Sequence, residues 1–301
     1  MSSHRVASPC PFVKVVHFSF GFFDSKMPPR VADHIRRTRD DNPDFEVMVW
    51  GPAEARALIA KHYPSFLTKY DAFDIPIQKS DASRYVILHK YGGVYTDLDY
   101  RFKAPLREVL RAAYACGAFH ESEPQLQPRP RNTSTLLAFV NETPNGTVFR
   151  RRASNSFMGA NQPGHPFWLQ VMDDITAGWG PRHQKVLSSA GPQAVDRALS
   201  NWVRRHDFVS KYPVPTIQAE VIMLPKAMFN PCSVCDRNAL TTVDSKHVLA
   251  YHGNGGTWHS PFAKVVNTLY CDWAWAVAVA SLLIVVITVA TTISARRVAG
   301  M

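Results

Sequence analysis

Runs of apolar residues in the N-terminal third of the chain predict strands that alternate with helices. The β-branched and aromatic run over residues 13–20 has the length and composition of a buried strand, and residues 45–50 form a second such run. Helical spacing of apolar positions predicts helices over residues 31–39 and 53–61. This order is typical of a parallel α/β sheet of the nucleotide-binding kind.

The same patterns continue towards a pair of carboxylates. A helix is predicted over residues 80–90, with Ser80 as its N-cap and two glycines directly after it. Residues 94–96 predict a short strand that leads into Asp97 and Asp99. Further downstream we expect helices over 166–175 and 192–206 and a strand over 221–224.

The C-terminal segment has a different composition. Residues 273–293 carry no charge, and at about 1.5 Å per residue a helix of this length spans roughly the 30 Å hydrocarbon core of a bilayer. Trp273 and Trp275 flank one end and Arg296 and Arg297 the other, as interfacial anchors do. Because the segment is apolar all round, the pattern favours a single transmembrane helix over a helix of a soluble core.

This segment divides the chain into a folded domain over residues 1–265, the transmembrane helix, and a short basic tail over 294–301. The N-terminus lacks the features of a signal peptide, which favours a tail-anchored protein with a cytosolic domain. The arginines after the span favour the opposite orientation. Three Asn-x-Ser/Thr sequons would suit a lumenal domain, and the orientation stays open; they begin at Asn132, Asn141 and Asn145.

Composition narrows the class of protein. The chain has 301 residues, 46% hydrophobic and 19% charged, which excludes a disordered tail, a collagen-like repeat and a small disulfide scaffold. Its 34 Lys and Arg against 24 Asp and Glu give a net charge of +10, compatible with nucleic acid, an anionic membrane or phosphorylated substrates. Because no nucleic-acid-binding motif accompanies this charge, we expect no nucleic-acid partner.

The five cysteines are odd in number and do not predict a disulfide framework. Cys232 and Cys235 have the spacing of zinc ligands, but no second pair of ligands follows them. A local disulfide or two ordinary thiols is therefore the favoured interpretation of this pair.

Asp97 and Asp99 are the strongest candidates for chemistry. On a regular strand, side chains two residues apart share one face, so both carboxylates could hold one hard divalent cation such as Mn²⁺ or Mg²⁺. Such an ion can neutralise the charge that develops on a departing nucleoside diphosphate. An isolated Asp-x-Asp also occurs in many solvated turns, so its neighbours decide the interpretation.

The segment over residues 80–99, SDASRYVILHKYGGVYTDLD, resembles the DXD signature of glycosyltransferase family 32. The matching residues are Asp81, Arg84, Tyr85, Gly92, Gly93, Tyr95, Asp97 and Asp99. Other stretches resemble the family in the same order: 14–18, 42–50, 155–167, 189–192, 224–225 and 251–258, the last with Thr257 in place of Ser. The resemblance covers roughly residues 13–262 and is greatest to the mannosyl-inositol-phosphoceramide synthase branch.

This resemblance implies an α/β fold of the GT-A type, a Rossmann-like nucleotide-sugar-binding domain followed by the transmembrane helix. It implies a hexosyltransferase that uses Mn²⁺ or Mg²⁺, retains configuration, and moves mannose from GDP-mannose to a membrane acceptor such as inositol phosphoceramide. The proton of the acceptor can pass to the leaving phosphate oxygen, so no general base is required. A UDP-sugar donor with a glycoprotein acceptor is the alternative within the family. The expected location is the Golgi or another endomembrane.

The resemblance also assigns roles to residues. The catalytic residues are Asp97, Asp99 and Asn155; the donor-binding residues are Phe18, Phe20, Asp81, Arg84, Tyr95, Asp97 and Trp258; the metal ligands are Asp97, Asp99 and His252. Each has a plainer alternative. Asp81 and Arg84 could form an ion pair on a helix surface, Phe20 and Trp258 could fill the core, and Asn155 could cap a helix.

Two other activities are disfavoured. Phosphohydrolases of the haloacid dehalogenase type also place Asp-x-Asp after a strand, but there Thr or Val follows the pair, whereas Tyr100 and Arg101 follow it here. A membrane-tethered protein that binds sugar or nucleotide without turnover would not need an intact set of Asp97, Asp99, His252 and Trp258.

Overall fold

The computed structural model describes residues 12–23, 26–113, 137–141, 153–178, 185–206, 221–224, 226–230, 248–253 and 288. All of them except Thr288 belong to one compact unit, and Thr288, in the second unit, is helical and exposed. The rest of the predicted transmembrane segment, Trp258 and the Cys232 and Cys235 pair lie outside these ranges. Within the described residues, no helix is both long enough and apolar enough to cross a membrane.

The described elements follow in the order β1 (Val15–Ser19), α1 (Pro29–Asp40), β2 (Glu46–Trp50), α2 (Pro52–His62), α3 (Pro64–Asp71), α4 (Pro76–Tyr91), β3 (Gly93–Thr96), β4 (Tyr100–Phe102), α5 (Leu106–Ala113), β5 (Leu137–Asn141), β6 (Ala153–Ala160), α6 (Pro166–Thr176), α7 (Lys185–Ser189), α8 (Pro192–His206), β7 (Val221–Leu224), α9 (Lys226–Phe229) and β8 (Ala250–His252). The strands and helices that the sequence predicts within the described residues are all present.

Six strands form a mixed sheet in the order β2-β1-β3-β6-β5-β7. β1 pairs in parallel with β2 and β3, and β5 pairs in parallel with β7, but β6 runs antiparallel to both of its neighbours. The prediction of an α/β sheet is confirmed, whereas the prediction that it is parallel throughout is wrong at β6. A separate two-stranded antiparallel sheet joins β4 to β8.

The sheet divides the core into two layers. Along β5, Leu137 and Phe139 belong to one hydrophobic cluster, and Ala138 and Val140 belong to the other. Because successive side chains of a strand point to opposite faces, the two clusters cover opposite faces of the sheet. Helices α2, α3, α4, α6 and α8 supply residues to the first cluster, and α1, α5 and α9 to the second. This is a three-layer α/β arrangement.

Helix α4 begins one turn earlier than its sequence pattern predicts. Its first residue is Pro76 and its N-cap is Ile75, so Ser80 is an interior position and not the cap. Pro suits the first turn because its missing N–H would have no acceptor there. The side chain of Gln78 accepts a hydrogen bond from the backbone N–H of Ile75 at 3.2 Å, which satisfies one of the backbone donors at this end of the helix.

Gly93, the first residue of β3, allows β3 to lie close to β1. Its φ is +79°, and a Cβ built on it would lie 2.4 Å from the carbonyl oxygen of Val15. A side chain is therefore excluded both by conformation and by space. This contact fixes the start of the strand that ends next to Asp97.

Gly164 offers a matched comparison, because its φ is +81° but a Cβ there would meet nothing within 4 Å. Gly164→Ala is expected to cost about 1–2 kcal/mol, the usual penalty of an L-residue in the left-handed region. Gly93→Ala has the same conformational penalty and in addition overlaps the β1 backbone, so its loss of unfolding free energy is expected to be clearly larger than that of Gly164→Ala. Urea denaturation of both variants measures the difference. Equal losses of unfolding free energy would contradict the close approach of β1 and β3.

Candidate functional site

Asp97 and Asp99 lie in a tight turn that follows β3, and not on a regular strand. The backbone N–H of Asp97 donates to Ser156 O of β6 at 2.9 Å, and its carbonyl accepts from Tyr100 N at 3.0 Å. This turn, rather than the alternation of a strand, brings the two carboxylates together. The expectation of a strand with both acids on one face is therefore corrected, although the acids remain neighbours.

Strand β8 brings a histidine to these acids from the far end of the described chain. In the β4–β8 pair, His252 is opposite Tyr100, and the ring of Tyr100 stacks on the imidazole with centroids 5.4 Å apart. Gly253 N donates to Asp99 O at 2.9 Å, and a Cβ on Gly253 would lie 2.9 Å from that same oxygen. His252 Nε2 is thereby held 2.9 Å from Asp99 Oδ1 and 3.7 Å from Asp97 Oδ2.

These three side chains fit a divalent cation. One ligand atom from each of Asp97, Asp99 and His252 lies within 4.8 Å of the others. Carboxylate oxygens and an imidazole nitrogen are donors that a cation such as Mn²⁺ accepts. All three side chains are partly exposed, so a bound ion would keep positions open for water or substrate.

A buried network lies behind Asp97. The guanidinium of Arg84 is 2.8 Å from Asp81 Oδ1 and 3.1 Å from Asp97 Oδ1, and Arg84 Nη1 donates to Asn155 O at 2.8 Å. Asn155 Nδ2 in turn donates to Asp81 Oδ1 at 3.0 Å, and the ring of Tyr95 lies 4.7 Å from the guanidinium carbon. The structure thus brings five of the predicted site residues together.

Burial decides between the alternatives left open for these residues. The side chains of Asp81 and Arg84 are each 5% exposed, so they do not form an ion pair on a helix surface. Asn155 lies in β6 and does not cap a helix. Tyr95 donates its hydroxyl to Asp97 Oδ1 at 3.2 Å, so this oxygen has two protein partners while Oδ2 is directed towards His252.

The site concentrates negative charge. Burial raises the pKa of Asp81 to about 7, against the opposing effect of Arg84. Burial also raises the pKa of Asp97, and the neighbouring Asp99 raises it further, while Arg84 and His252 act in the opposite direction. One guanidinium therefore serves the buried carboxylate of Asp81 and the partly exposed carboxylate of Asp97. Asp99 adds a third acid, whose charge a divalent cation would offset.

The remaining predicted donor-binding residues divide in three ways. Phe18 is fully buried in the core, edge-on to the ring of His34 with centroids 5.5 Å apart, so the structure does not bring it to the site. Phe20 follows β1, is partly exposed, and donates its N–H to Trp50 O at 2.9 Å. Trp258 lies outside the described residues.

Two residues near Asp99 were not anticipated from the sequence. His34 of α1 is acted on by the charges of both Asp99 and Arg101, and its pKa is lowered to about 4, chiefly by burial. Arg101 of β4 donates from Nη1 to Leu98 O at 2.8 Å and to Tyr100 O at 2.9 Å. Adjacency to Asp99 was a signal for Arg101, but nothing in the sequence links His34 to this turn.

Arg84→Gln tests the buried network. It leaves Asp81 and Asp97 without their shared cation in a buried environment, and breaking a buried pair in this way costs about 3–5 kcal/mol. Arg56→Gln is the matched control, because Arg56 forms a two-bond pair with Asp71 on the surface, where such pairs contribute about 1 kcal/mol or less. Urea denaturation compares them. Similar losses in the two variants would contradict the buried compensation.

Comparison with known proteins agrees with this geometry. Residues 28–115 match the family described as glycosyltransferase sugar-binding region containing DXD motif. The chain is 29% identical over 270 residues to Inositol phosphoceramide mannosyltransferase 3 of Schizosaccharomyces pombe, across 87% of this chain and 60% of that protein. It is 27% identical over 183 residues to Mannosyl phosphorylinositol ceramide synthase CSH1 of Saccharomyces cerevisiae, across 60% of this chain and 40% of that protein.

The chain thus spans 60% and 40% of the lengths of these two curated relatives. Among solved structures, PaToxG Glycosyltransferase is similar at a TM-score of 0.44 and 16% identity, over 65% of this chain and 72% of that chain. The matched family range includes the turn with Asp97 and Asp99 and the Asp81 and Arg84 pair. The resemblance seen in the sequence is confirmed by this family match over residues 28–115 and by the similarity to the two curated relatives.

Proposed function

We propose that this chain is a metal-dependent glycosyltransferase that moves mannose from GDP-mannose to a membrane-associated acceptor such as inositol phosphoceramide, with retention of configuration. The observation that carries the proposal is the position of Asp97. One of its oxygens is held by the Arg84 network, and the other is directed towards His252. In this proposal the nucleotide-sugar site and the cation site share this one carboxylate.

In this proposal Asp97, Asp99 and His252 hold the cation. When bound, the ion supplies Lewis-acid neutralisation of the charge on the departing diphosphate. The imidazole favours Mn²⁺ over Mg²⁺, because Mg²⁺ prefers oxygen ligands throughout.

The buried network pre-organises the donor side of the site. Arg84 and Tyr95 fix the orientation of the Asp97 carboxylate, and Asn155 fixes that of Asp81. Groups held in place before the substrate binds need no rearrangement during the reaction, which is how fixed dipoles and charges lower a barrier. We assign Asp81, Arg84 and Asn155 to the sugar and ribose end of the donor, with Phe20 and Trp258 as further donor contacts.

The name of the relative from Schizosaccharomyces pombe, an inositol phosphoceramide mannosyltransferase, supports inositol phosphoceramide as the acceptor. In this proposal the uncharged segment over residues 273–293 holds the catalytic domain over 1–265 at the membrane that contains such a lipid. A membrane anchor raises the local concentration of a lipid acceptor. We therefore propose a single-pass protein of the Golgi or another endomembrane, with residues 294–301 as a short basic tail.

A donor screen tests the proposed reaction. The full chain in detergent is incubated with GDP-mannose, UDP-glucose, UDP-galactose or UDP-GlcNAc, each with Mn²⁺ or with EDTA, and the released nucleoside diphosphate is measured. GDP-mannose with Mn²⁺ is expected to react, and EDTA is expected to abolish the reaction. Asp97→Asn/Asp99→Asn should lower the rate by about 100-fold or more, because the charges that act in the transition state are removed.

Asp71→Asn is the control, since Asp71 is an exposed partner of Arg56. Reaction with a UDP-sugar instead would move the proposal to the other donor class. Absence of turnover with every donor, in folded protein that binds Mn²⁺, would favour a sugar- or nucleotide-binding protein without catalysis.

His252→Asn tests the third ligand. Loss of the imidazole Nε2 is expected to weaken Mn²⁺ binding by about tenfold or more, with a smaller effect on Mg²⁺, which depends on oxygen ligands. Isothermal titration with each metal measures both affinities. His62→Asn, at an exposed position at the end of α2, is the control. An unchanged Mn²⁺ affinity in His252→Asn would remove His252 from the ligand set.

A further inference from the structure

The ring of Tyr100 packs against the imidazole of His252 and is itself held at both ends. Tyr100 lies in β4 and is fully buried, and the two ring centroids are 5.4 Å apart with an angle of 23° between the ring planes. The phenol hydroxyl donates to Phe229 O at 2.5 Å, so the far end of the ring is fixed as well as its Cα. The imidazole therefore stacks on a ring whose position is set by other contacts.

The same tyrosine ring also packs on the six-stranded sheet. The ring of Phe157, in β6, has its centroid 5.5 Å from that of Tyr100, and Phe157 is fully buried. The preceding residue in β6, Ser156, accepts the backbone N–H of Asp97 at 2.9 Å. One strand thus holds the backbone of Asp97 and supports the ring that contacts His252, so it contributes to the position of both candidate ligands.

A further contact reaches the backbone of His252 from the residue after α9. The N–H of His252 donates to Oδ1 of Asn230 at 3.4 Å, and Asn230 is 4% exposed. Asn230 directly follows Phe229, whose oxygen accepts the hydroxyl of Tyr100. The end of α9 therefore contacts both the histidine backbone and the ring on which the imidazole stacks.

Backbone pairing by itself would not orient the imidazole. β4 and β8 pair at three positions, in a sheet separate from the six-stranded one. A two-stranded pair of this size is marginally stable by itself, and it leaves the two side-chain torsions of a histidine unset. The position of His252 Nε2, 2.9 Å from Asp99 Oδ1, therefore depends on the surface against which the imidazole packs.

We propose that Tyr100 is a positioning residue of the cation site: its ring, anchored on Phe229 O, holds the imidazole of His252 in the orientation that a divalent ion requires. This inference rests on the proposed function and extends the site to a residue outside the ligand set. Loss of a contact that orients a metal ligand typically lowers metal affinity by about 10–100-fold. Because this contact acts on the nitrogen ligand, its loss is expected to affect Mn²⁺ more than Mg²⁺, which prefers oxygen ligands.

Two substitutions of Tyr100 test the proposal by isothermal titration of the full chain in detergent with each metal. Tyr100→Leu removes the ring and is expected to bind Mn²⁺ about tenfold more weakly, with a smaller change for Mg²⁺. Tyr100→Phe keeps the stack and removes the anchoring hydroxyl, so its Mn²⁺ affinity is expected to lie between those of wild type and Tyr100→Leu. This milder variant gives the answer if the larger truncation does not fold.

Tyr70→Leu is the matched control. Tyr70 is 1% exposed and belongs to the hydrophobic cluster on the opposite face of the sheet from Tyr100. The same substitution there also truncates a buried tyrosine, and it is expected to leave both metal affinities at their wild-type values.

A double-mutant cycle with His252→Asn separates positioning from packing. If Tyr100 acts through the imidazole, either Tyr100 variant is expected to leave the Mn²⁺ affinity unchanged when His252→Asn is already present. Additive losses, or equal losses of Mn²⁺ and Mg²⁺ affinity, would mean that Tyr100 supports the turn of Asp97 and Asp99 as a whole. Either result would overturn the proposal.

NMR of the metal-free chain tests the contact without any ion. The imidazole carbon-bound proton of His252, assigned by its absence in His252→Asn, is expected to shift in Tyr100→Leu because the ring current of Tyr100 is removed. It is expected to stay in place in Tyr70→Leu, and an unchanged resonance in Tyr100→Leu would overturn the proposal. Failure of the proposed cation site is read from wild type, which would then bind no Mn²⁺. Failure of this proposal alone is a wild type that binds Mn²⁺ and Tyr100 variants that bind it equally well.

Discussion

The buried guanidinium of Arg84 is the group on which the site depends. It joins three parts of the chain: Asp81 one turn earlier on α4, Asp97 in the turn after β3, and the backbone of Asn155 in β6. A buried carboxylate such as that of Asp81 would be strongly disfavoured without a neighbouring cation. The ion pairs of Arg84 with Asp81 and Asp97 therefore form only if α4 and the sheet pack in one register. The same contacts that fix this packing leave Asp97 with one oxygen free for a ligand.

The second constraint is the close approach of backbones around the site. Gly93 lets β3 lie against β1, and Gly253 lets β8 lie against the turn at Asp99. Neither position has room for a Cβ, and each lies within a few residues of a candidate ligand. The β4–β8 pair is short, so few backbone hydrogen bonds hold it. The stacking of Tyr100 on His252 adds a side-chain contact that holds the imidazole in one orientation. The candidate cation site is thus assembled by backbone pairing.

Much of the fold and several of the site residues could be predicted from the sequence, because they depend on hydrophobic periodicity and on the spacing of nearby residues. The apolar run of β1 and the i, i+3 pair of Asp81 and Arg84 are local features; β1 forms within its predicted range, and α4 covers its predicted range but begins one turn earlier. The antiparallel β6 could not be predicted: its sequence, ASNSFMGA, lacks the β-branched residues that mark strands, and all its positions are buried. The spatial relation of His34 to Asp99 depends on how α1 packs on the sheet, which no local pattern encodes.

The two arginines beside the candidate cation site, Arg84 and Arg101, have different hydrogen-bond partners, and each supports a different part of the site. Both terminal nitrogens of Arg84 have protein acceptors, so this residue is fixed before any substrate arrives. Arg101 donates from Nη1 to the backbone oxygens of Leu98 and Tyr100, the two residues that flank Asp99. Arg84 therefore orients the side chain of Asp97, whereas Arg101 holds the backbone of the turn that carries Asp99.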